Sequence, residues 1–196
     1  MVRYAKGHKD ASREKIVAHA SARFRKHGIK TVGVRGLMTE AGLTHGAFYA
    51  HFPARSDLVA AAMDRAMEDT IQHLRHVVNN ASEGRGLEAL VRSYLSAAHS
   101  AHAELGCAAA ALAGELAREP LPTREGVLSH VGDITDLIAS TLPFTWTQNA
   151  RTERAYAIFS TLMGSLQLMR LASHPDQVKA LMQSGRKAAL TLAAHP

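Results

Sequence analysis

Apolar residues recur along this chain at the three- and four-residue spacing of a helix, and no stretch joins alternate-residue spacing to a hairpin turn. Ile16, Val17, Ala20 and Phe24 line one face of a predicted helix over 12–27, Arg13, Lys15, Arg23, Arg25 and Lys26 make a basic remainder, and Gly28 ends it. A short run over 34–41 is stopped by Gly42, and Thr44 can cap a third run through 49. Pro53 interrupts. Ser56 can cap a longer helix over 57–79 that carries Leu58, Val59, Ala62, Met63, Ala66 and Met67. Past the polar loop at 79–84, five more helices are predicted over 86–102, 107–118, 123–141, 149–171 and 175–193, with stops at Glu119 to Pro122 and around Pro143. The pattern predicts an all-α fold of about nine helices, three of them short and crowded into the first quarter.

At 196 residues the chain is long enough for one sizeable core with a small appendage. The formal charge of +6 is unevenly placed: residues 1–56 hold eleven basic and three acidic side chains, a surplus of +8, whereas the other 140 residues sum to −2. Such a head seeks an anionic partner, and nucleic acid fits best. A single cysteine, Cys107, excludes an intrachain disulfide, and nothing near it has zinc-site spacing. The N-terminus lacks the apolar run of a secretory signal, and no window approaches eighteen apolar residues. These features predict a soluble cytoplasmic protein with no membrane partner, resident metal or cofactor.

The short helices suggest the chemistry. Three of them in fewer than about 50 residues, joined by the tight turn Ala41-Gly42-Leu43, make a helix-turn-helix. Leu37, Leu43, Phe48 and Phe52 would fill its core, leaving Thr44, His45, Gly46 and Ala47 at the front of the third helix, where a helix fits the DNA major groove. Thr44 and His45 can exchange hydrogen bonds with base edges, and Ala47 can touch a thymine methyl. Tyr49, His51 and Arg55 suit phosphate, although Tyr49 could instead pack by its ring and His51 could be an exposed cap.

Residues 12–60 resemble the DNA-binding region of the TetR family of one-component transcriptional regulators. The resemblance is carried by Ala41-Gly42-Leu43-Thr44-His45-Gly46-Ala47-Phe48-Tyr49-Ala50-His51-Phe52 and by Arg55-Ser56-Asp57-Leu58. It implies a DNA-binding domain over 1–56 with 34–41 as positioning helix. Arg35, Thr44, His45, Gly46, Ala47, Tyr49, His51 and Arg55 are its DNA-facing candidates, and Tyr49 and Arg55 meet phosphates. Arg55 stands where the family usually has lysine, and Val32-Gly33 replaces the usual hydroxyl-bearing start of the second helix.

For 57–196 the resemblance implies a helical ligand-binding and dimerisation domain. The helices over 149–171 and 175–193 would form a homodimer, with Gly164 allowing close approach, and a small-molecule effector would release a repressor from a palindromic double-stranded operator. Met67, Tyr94, His99, Cys107, Trp146, Tyr156, Phe159, Met163 and Gln167 are the ligand-binding candidates, each of which could equally serve as core or solvated surface. His99 and His102 share a helix face, but no third metal ligand is placed beside them. A helical enzyme and a protein-interaction module without sequence-specific DNA binding are the competing classes. No catalytic glycine loop, His-Glu metal motif or Ser-His-Asp set is present in the sequence to support the first. The second leaves the basic quarter without a task.

Overall fold

The apolar spacing becomes helix over nearly all of residues 6–194, the span described by a computed structural model, with side chains described from Lys9 onward. Arg3 and the side chain of Lys6, both counted in the basic head, lie outside the described residues. Nine α-helices occur among the described residues: α1 (Lys6–His27), α2 (Val34–Glu40), α3 (Arg55–Asn79), α4 (Gly86–Tyr94), α5 (Ala97–Ala101), α6 (Ala108–Leu116), α7 (Leu121–Ser140), α8 (Gln148–Leu171) and α9 (Pro175–Leu192). Two 3-10 segments, His45–Ala50 and Ala103–Leu105, complete the order. The fold is all-α.

Helix α3 is the spine. It packs on α1 along one side and on α7 along another; α7 packs on α8, α8 on α9, and α9 reaches back to α4. Leu58, Val59, Ala62, Met63, Ala66 and Met67 are all buried, so one apolar stripe serves both the small N-terminal bundle and the larger body. Residue 56 falls in the first turn of this helix.

Helix α1 starts at Lys6 rather than near Ser12, and four further local expectations change. The helix expected over 86–102 is broken: Leu95 leaves helical geometry, Ser96 caps α5 by accepting the His99 amide at 3.2 Å, and Arg186 holds the released Leu95 carbonyl at 2.7 Å. The third head helix is a 3-10 helix, and Thr44 stands at its N-cap without a side-chain bond. Helix α3 begins at Arg55 rather than near Asp57, and its start is secured by Asp57, which accepts the Ala54 amide at 2.9 Å, instead of by Ser56. Helix α7 begins at Leu121, with Pro122 inside its first turn where a missing amide costs nothing, so part of the expected stop is a start.

Candidate nucleic-acid interface and ligand cavity

The head is built on Leu37, Met38, Phe48 and Phe52, each buried to within a few per cent, with Phe48 and Phe52 rings stacked at 5.6 Å. Gly42 makes the turn between α2 and the 3-10 helix with φ +73°, a conformation that Cβ opposes. Its neighbour Leu43 donates its amide back to Met38 at 2.8 Å. That turn sets Thr44, His45, Gly46 and Tyr49 outward, all exposed, with Ala47 half-buried beside them. Tyr49 stays 66% exposed although its ring edge meets Phe48 at 5.2 Å, so it packs and still presents its hydroxyl to solvent. Arg35 is exposed on α2.

The two remaining candidates sit differently. His51 is half-buried with an unbonded, enclosed Nδ1. Partial burial, then the charges of Lys9 and Arg13, push its pKa below the ordinary histidine value. Arg13 lies over the Phe52 ring at 5.0 Å, so α1 adds cations to this edge. Arg55 turns inward: its guanidinium donates to the Ile29 carbonyl and, at 3.3 Å, to that of Val32, and lies 5.8 Å from the Phe24 ring. These bonds fasten the α1–α2 connection. Thr31 donates to His27 and Gly28 carbonyls, closing α1, so the α2 N-cap at Gly33 has no side-chain bond.

In the body, an open-sided cavity of about 490 Å³ lies between α3, the α4–α5 break and the strand of chain leading into α6. Of the nine ligand candidates, Tyr94, His99 and Cys107 line it. The other six do not. Met67 and Phe159 are core, Phe159 supporting Tyr94 edge-on at 5.9 Å. Trp146 and Met163 are half-buried, Tyr156 is exposed, and Gln167 donates to the Ala110 carbonyl at 3.2 Å. Thr70, His73, Ser93, Ser96 and His102, which periodicity does not single out as a group, join the lining because the helix breaks at Leu95.

His99 is the fastener of this wall. One ring nitrogen bonds the Tyr94 carbonyl at 2.7 Å and the other accepts the Cys107 amide at 3.0 Å, which defines a neutral tautomer. Burial lowers its pKa to about 4, against the smaller opposing effect of the Tyr94 carbonyl. With both nitrogens occupied, His99 has none to share with His102 over a metal. Burial pushes the Tyr94 hydroxyl well above the ordinary phenol range, reinforced by the neighbouring Cys107.

Head and cavity are bonded to one another. Val17, Ser21 and Arg25 fall at i, i+4 and i+8 of α1, and Arg25 is buried despite its charge, which lowers its pKa. Its Nη1 donates to the Gly106 carbonyl on the cavity wall at 2.6 Å, and its other nitrogens are held by Ser21. At the far end of α6, Glu115 accepts the Lys30 amide at 3.0 Å beneath the α1–α2 connection. Arg25, Gly106 and Glu115 are not among the sequence candidates. Their only trace in the sequence is the stripe from Val17 through Ser21, which continues onto Arg25.

Comparison with known proteins bears on both halves. Residues 16–62 match the model of bacterial regulatory proteins of the tetR family. The chain is 31% identical over 83 residues to the HTH-type transcriptional regulator TtgR, and equally to the probable HTH-type transcriptional regulator ArpR, both of Pseudomonas putida. Each match covers 42% of this chain and spans 39% of the relative's length. The fold extends much further than that similarity. A TetR-family regulator from Cytophaga hutchinsonii superimposes with a TM-score of 0.78 at 14% identity, covering 96% of this chain and 98% of that one. One from Chloroflexus aurantiacus gives 0.77 at 19% identity, covering 92% and 95%. The reduced form of NemR from E. coli gives 0.74 at 14%, covering 90% and 96%. With the head's turn, core and exposed segment in the order its sequence motif requires, residues 16–62 match the tetR-family head, and the all-α body behind it shares the fold of these solved structures.

Proposed function

We propose that the protein is a homodimeric transcriptional repressor that leaves a palindromic operator when a small molecule occupies the cavity beside Tyr94, and that it is not an enzyme. The exposed Thr44–Tyr49 face of a head with a surplus of eight positive charges carries this reading. Thr44 and His45 read base edges, Ala47 adds an apolar contact, and Arg35, Gly46, Tyr49 and His51 meet the phosphate backbone. Arg55, with its Nη2 bonded to the Ile29 and Val32 carbonyls, orients the reading segment from within. Residues 1–56 act as the DNA-binding domain and 57–196 as the sensing and dimerising one, coupled through shared helix α3.

One head buries too little surface for secure recognition, whereas two read half-sites about one helical turn apart. Gly164, Leu168 and Leu171 fall at i, i+4 and i+7 on α8. Leu168 and Leu171 are exposed, and among the described residues nothing packs within 4 Å of the Gly164 Cβ position. This stripe, with Leu190 of α9, supports a close helical interface with a second copy. A ligand that moves the Gly106–Cys107 wall acts on α1 through Arg25 and on the α1–α2 connection through Glu115. It lowers DNA affinity by its preference for one arrangement of the heads.

The test is selection of bound fragments from random duplexes by the full-length protein, followed by gel shifts at about 50 and about 200 mM salt. A palindromic consensus, weakened by salt, is expected, with Thr44→Ala and His45→Ala relaxing its sequence. Equal affinity for every duplex overturns the reading.

A further inference from the structure

We propose that α1 extends the DNA-binding edge of the head: Lys9 and Arg13, outside the helix-turn-helix motif, close with His51 around one phosphate of the operator backbone, at the end of the reading segment far from Thr44. The inference rests on the regulator reading, to which it adds α1 and a linked proton.

The seat is built by packing. Lys9 and Arg13 stand at i and i+4 on one face of α1, and both are exposed. The Arg13 guanidinium lies 5.0 Å from the centroid of the Phe52 ring, and Phe52 is itself 1% exposed and stacked on Phe48 at 5.6 Å. A core ring therefore positions a surface cation. His51 immediately precedes Phe52, caps the C-terminal end of the 3-10 helix His45–Ala50, and feels the charges of both α1 residues. Six residues rising about 2.0 Å each make that segment about 12 Å long, about the width of a major groove. When Thr44 and His45 at one end enter the groove, His51 at the other stands at its sugar-phosphate rim.

The charges at this corner are uncompensated. Among the described residues neither Lys9 nor Arg13 is in ion-pair contact with a carboxylate, neighbouring Asp10 included. Glu14 is held by Arg65, Asp57 accepts the Ala54 amide at 2.9 Å, and Arg55 is turned inward to Ile29 and Val32. His51 Nδ1 is enclosed without a bond, so Nε2 is the ring nitrogen left to an outside partner. Two cations and an unbonded imidazole converging on one edge suit an anion, and a phosphate oxygen accepts from several such donors at once.

A proton is linked to this contact. Partial burial and then the two cations hold His51 below the ordinary histidine pKa, which favours the neutral ring in the free head at neutral pH. A phosphate between the three groups offsets those cations and raises that pKa. The bound head then holds more protons than the free one, so affinity rises as pH falls from about 7.5 to about 6.

The test is fluorescence anisotropy of the full-length protein on a labelled duplex of about 30 base pairs carrying the selected consensus, with a random-sequence duplex beside it, between about 50 and about 200 mM salt. Each neutralised phosphate adds about 0.9 to the slope of log affinity against log salt. Lys9→Gln and Arg13→Gln should each lower that slope by about two for a pair of heads without changing the preferred sequence, and Arg13→Lys should retain it. Lys15→Gln removes the same charge about 200° further round α1 from Arg13 and should lower the slope by less than half as much. The gain in affinity between about pH 7.5 and about pH 6 should fall by about half or more in His51→Gln. Melting curves identify a variant that fails to fold, and the others then decide. A slope unchanged in folded Lys9→Gln and Arg13→Gln, an equal loss in Lys15→Gln, or the same pH dependence with and without His51 would overturn the inference. Sequence-selective binding whose slope these variants leave unmoved removes this inference alone, whereas no selective binding by the unaltered protein removes the regulator reading with it.

Discussion

Gly42 and His99 show single residues governed by different physics. Among the described residues nothing packs within 4 Å of the position a methyl group would take on Gly42, yet its φ of +73° is one that L side chains oppose. Gly42→Ala is therefore expected to destabilise the protein by about 1–2 kcal/mol with no steric clash, seen as a lower midpoint in urea with an unchanged slope. His99 is governed by protonation. In the folded chain it stays neutral down to about pH 4, whereas unfolded histidine ionises near 6.5. Its contribution is present above pH 6.5 and is lost as pH falls toward 4, by at most about 3 kcal/mol. Denaturation at stepped pH should show that loss, and His99→Phe should flatten it. Gly42 could be read from the Ala-Gly-Leu turn. The role of His99 could not, since its partners depend on the helix break at Leu95.

At the scale of elements, most helices whose signals lie within their own segments were legible apart from their starts, and the break that a distant partner helps to hold was not. The turn at Gly42, the glycine ending α1 and the long helices α8 and α9 follow from local spacing and caps. The 86–102 segment carries a helical pattern throughout, yet Ser96 and the distant Arg186 stabilise a break in it. Helix α2 is the element most open to improvement. Gly33 occupies its N-cap with φ −84° and ψ 147°, suited to any residue, in open space and with no capping bond. Gly33→Ser should stabilise the protein by about 0.5–1 kcal/mol, through a new cap and a less flexible unfolded chain. Thermal melting checks it, and an unchanged midpoint would mean that the serine leaves the α2 amides unbonded.

For the molecule as a whole, the partition of charge and apolar surface matters more than any one contact. The positive surplus sits on the head, while exposed Leu168, Leu171 and Leu190 sit on the two C-terminal helices. Leu168→Glu should turn the proposed dimer into a monomer in sedimentation and reduce operator affinity by about tenfold or more, because a second head then binds no longer as part of one molecule. A dimer that persists in this variant would place the interface elsewhere.

By itself the sequence determined the helical periods, the turn at Gly42, the exposed segment that follows it and the concentration of charge in the first quarter, since each depends on residues within a few turns of one another. Only the tertiary structure decided which cations turn inward. Arg25 reaches a carbonyl 81 residues away, Arg55 one 26 residues away and Arg170 one 71 residues away. A helical period says which face is apolar. It does not say where another segment will present a free carbonyl to a guanidinium at that face's edge, and one such distant pairing, Arg25 with Gly106, bonds the cavity wall to the head.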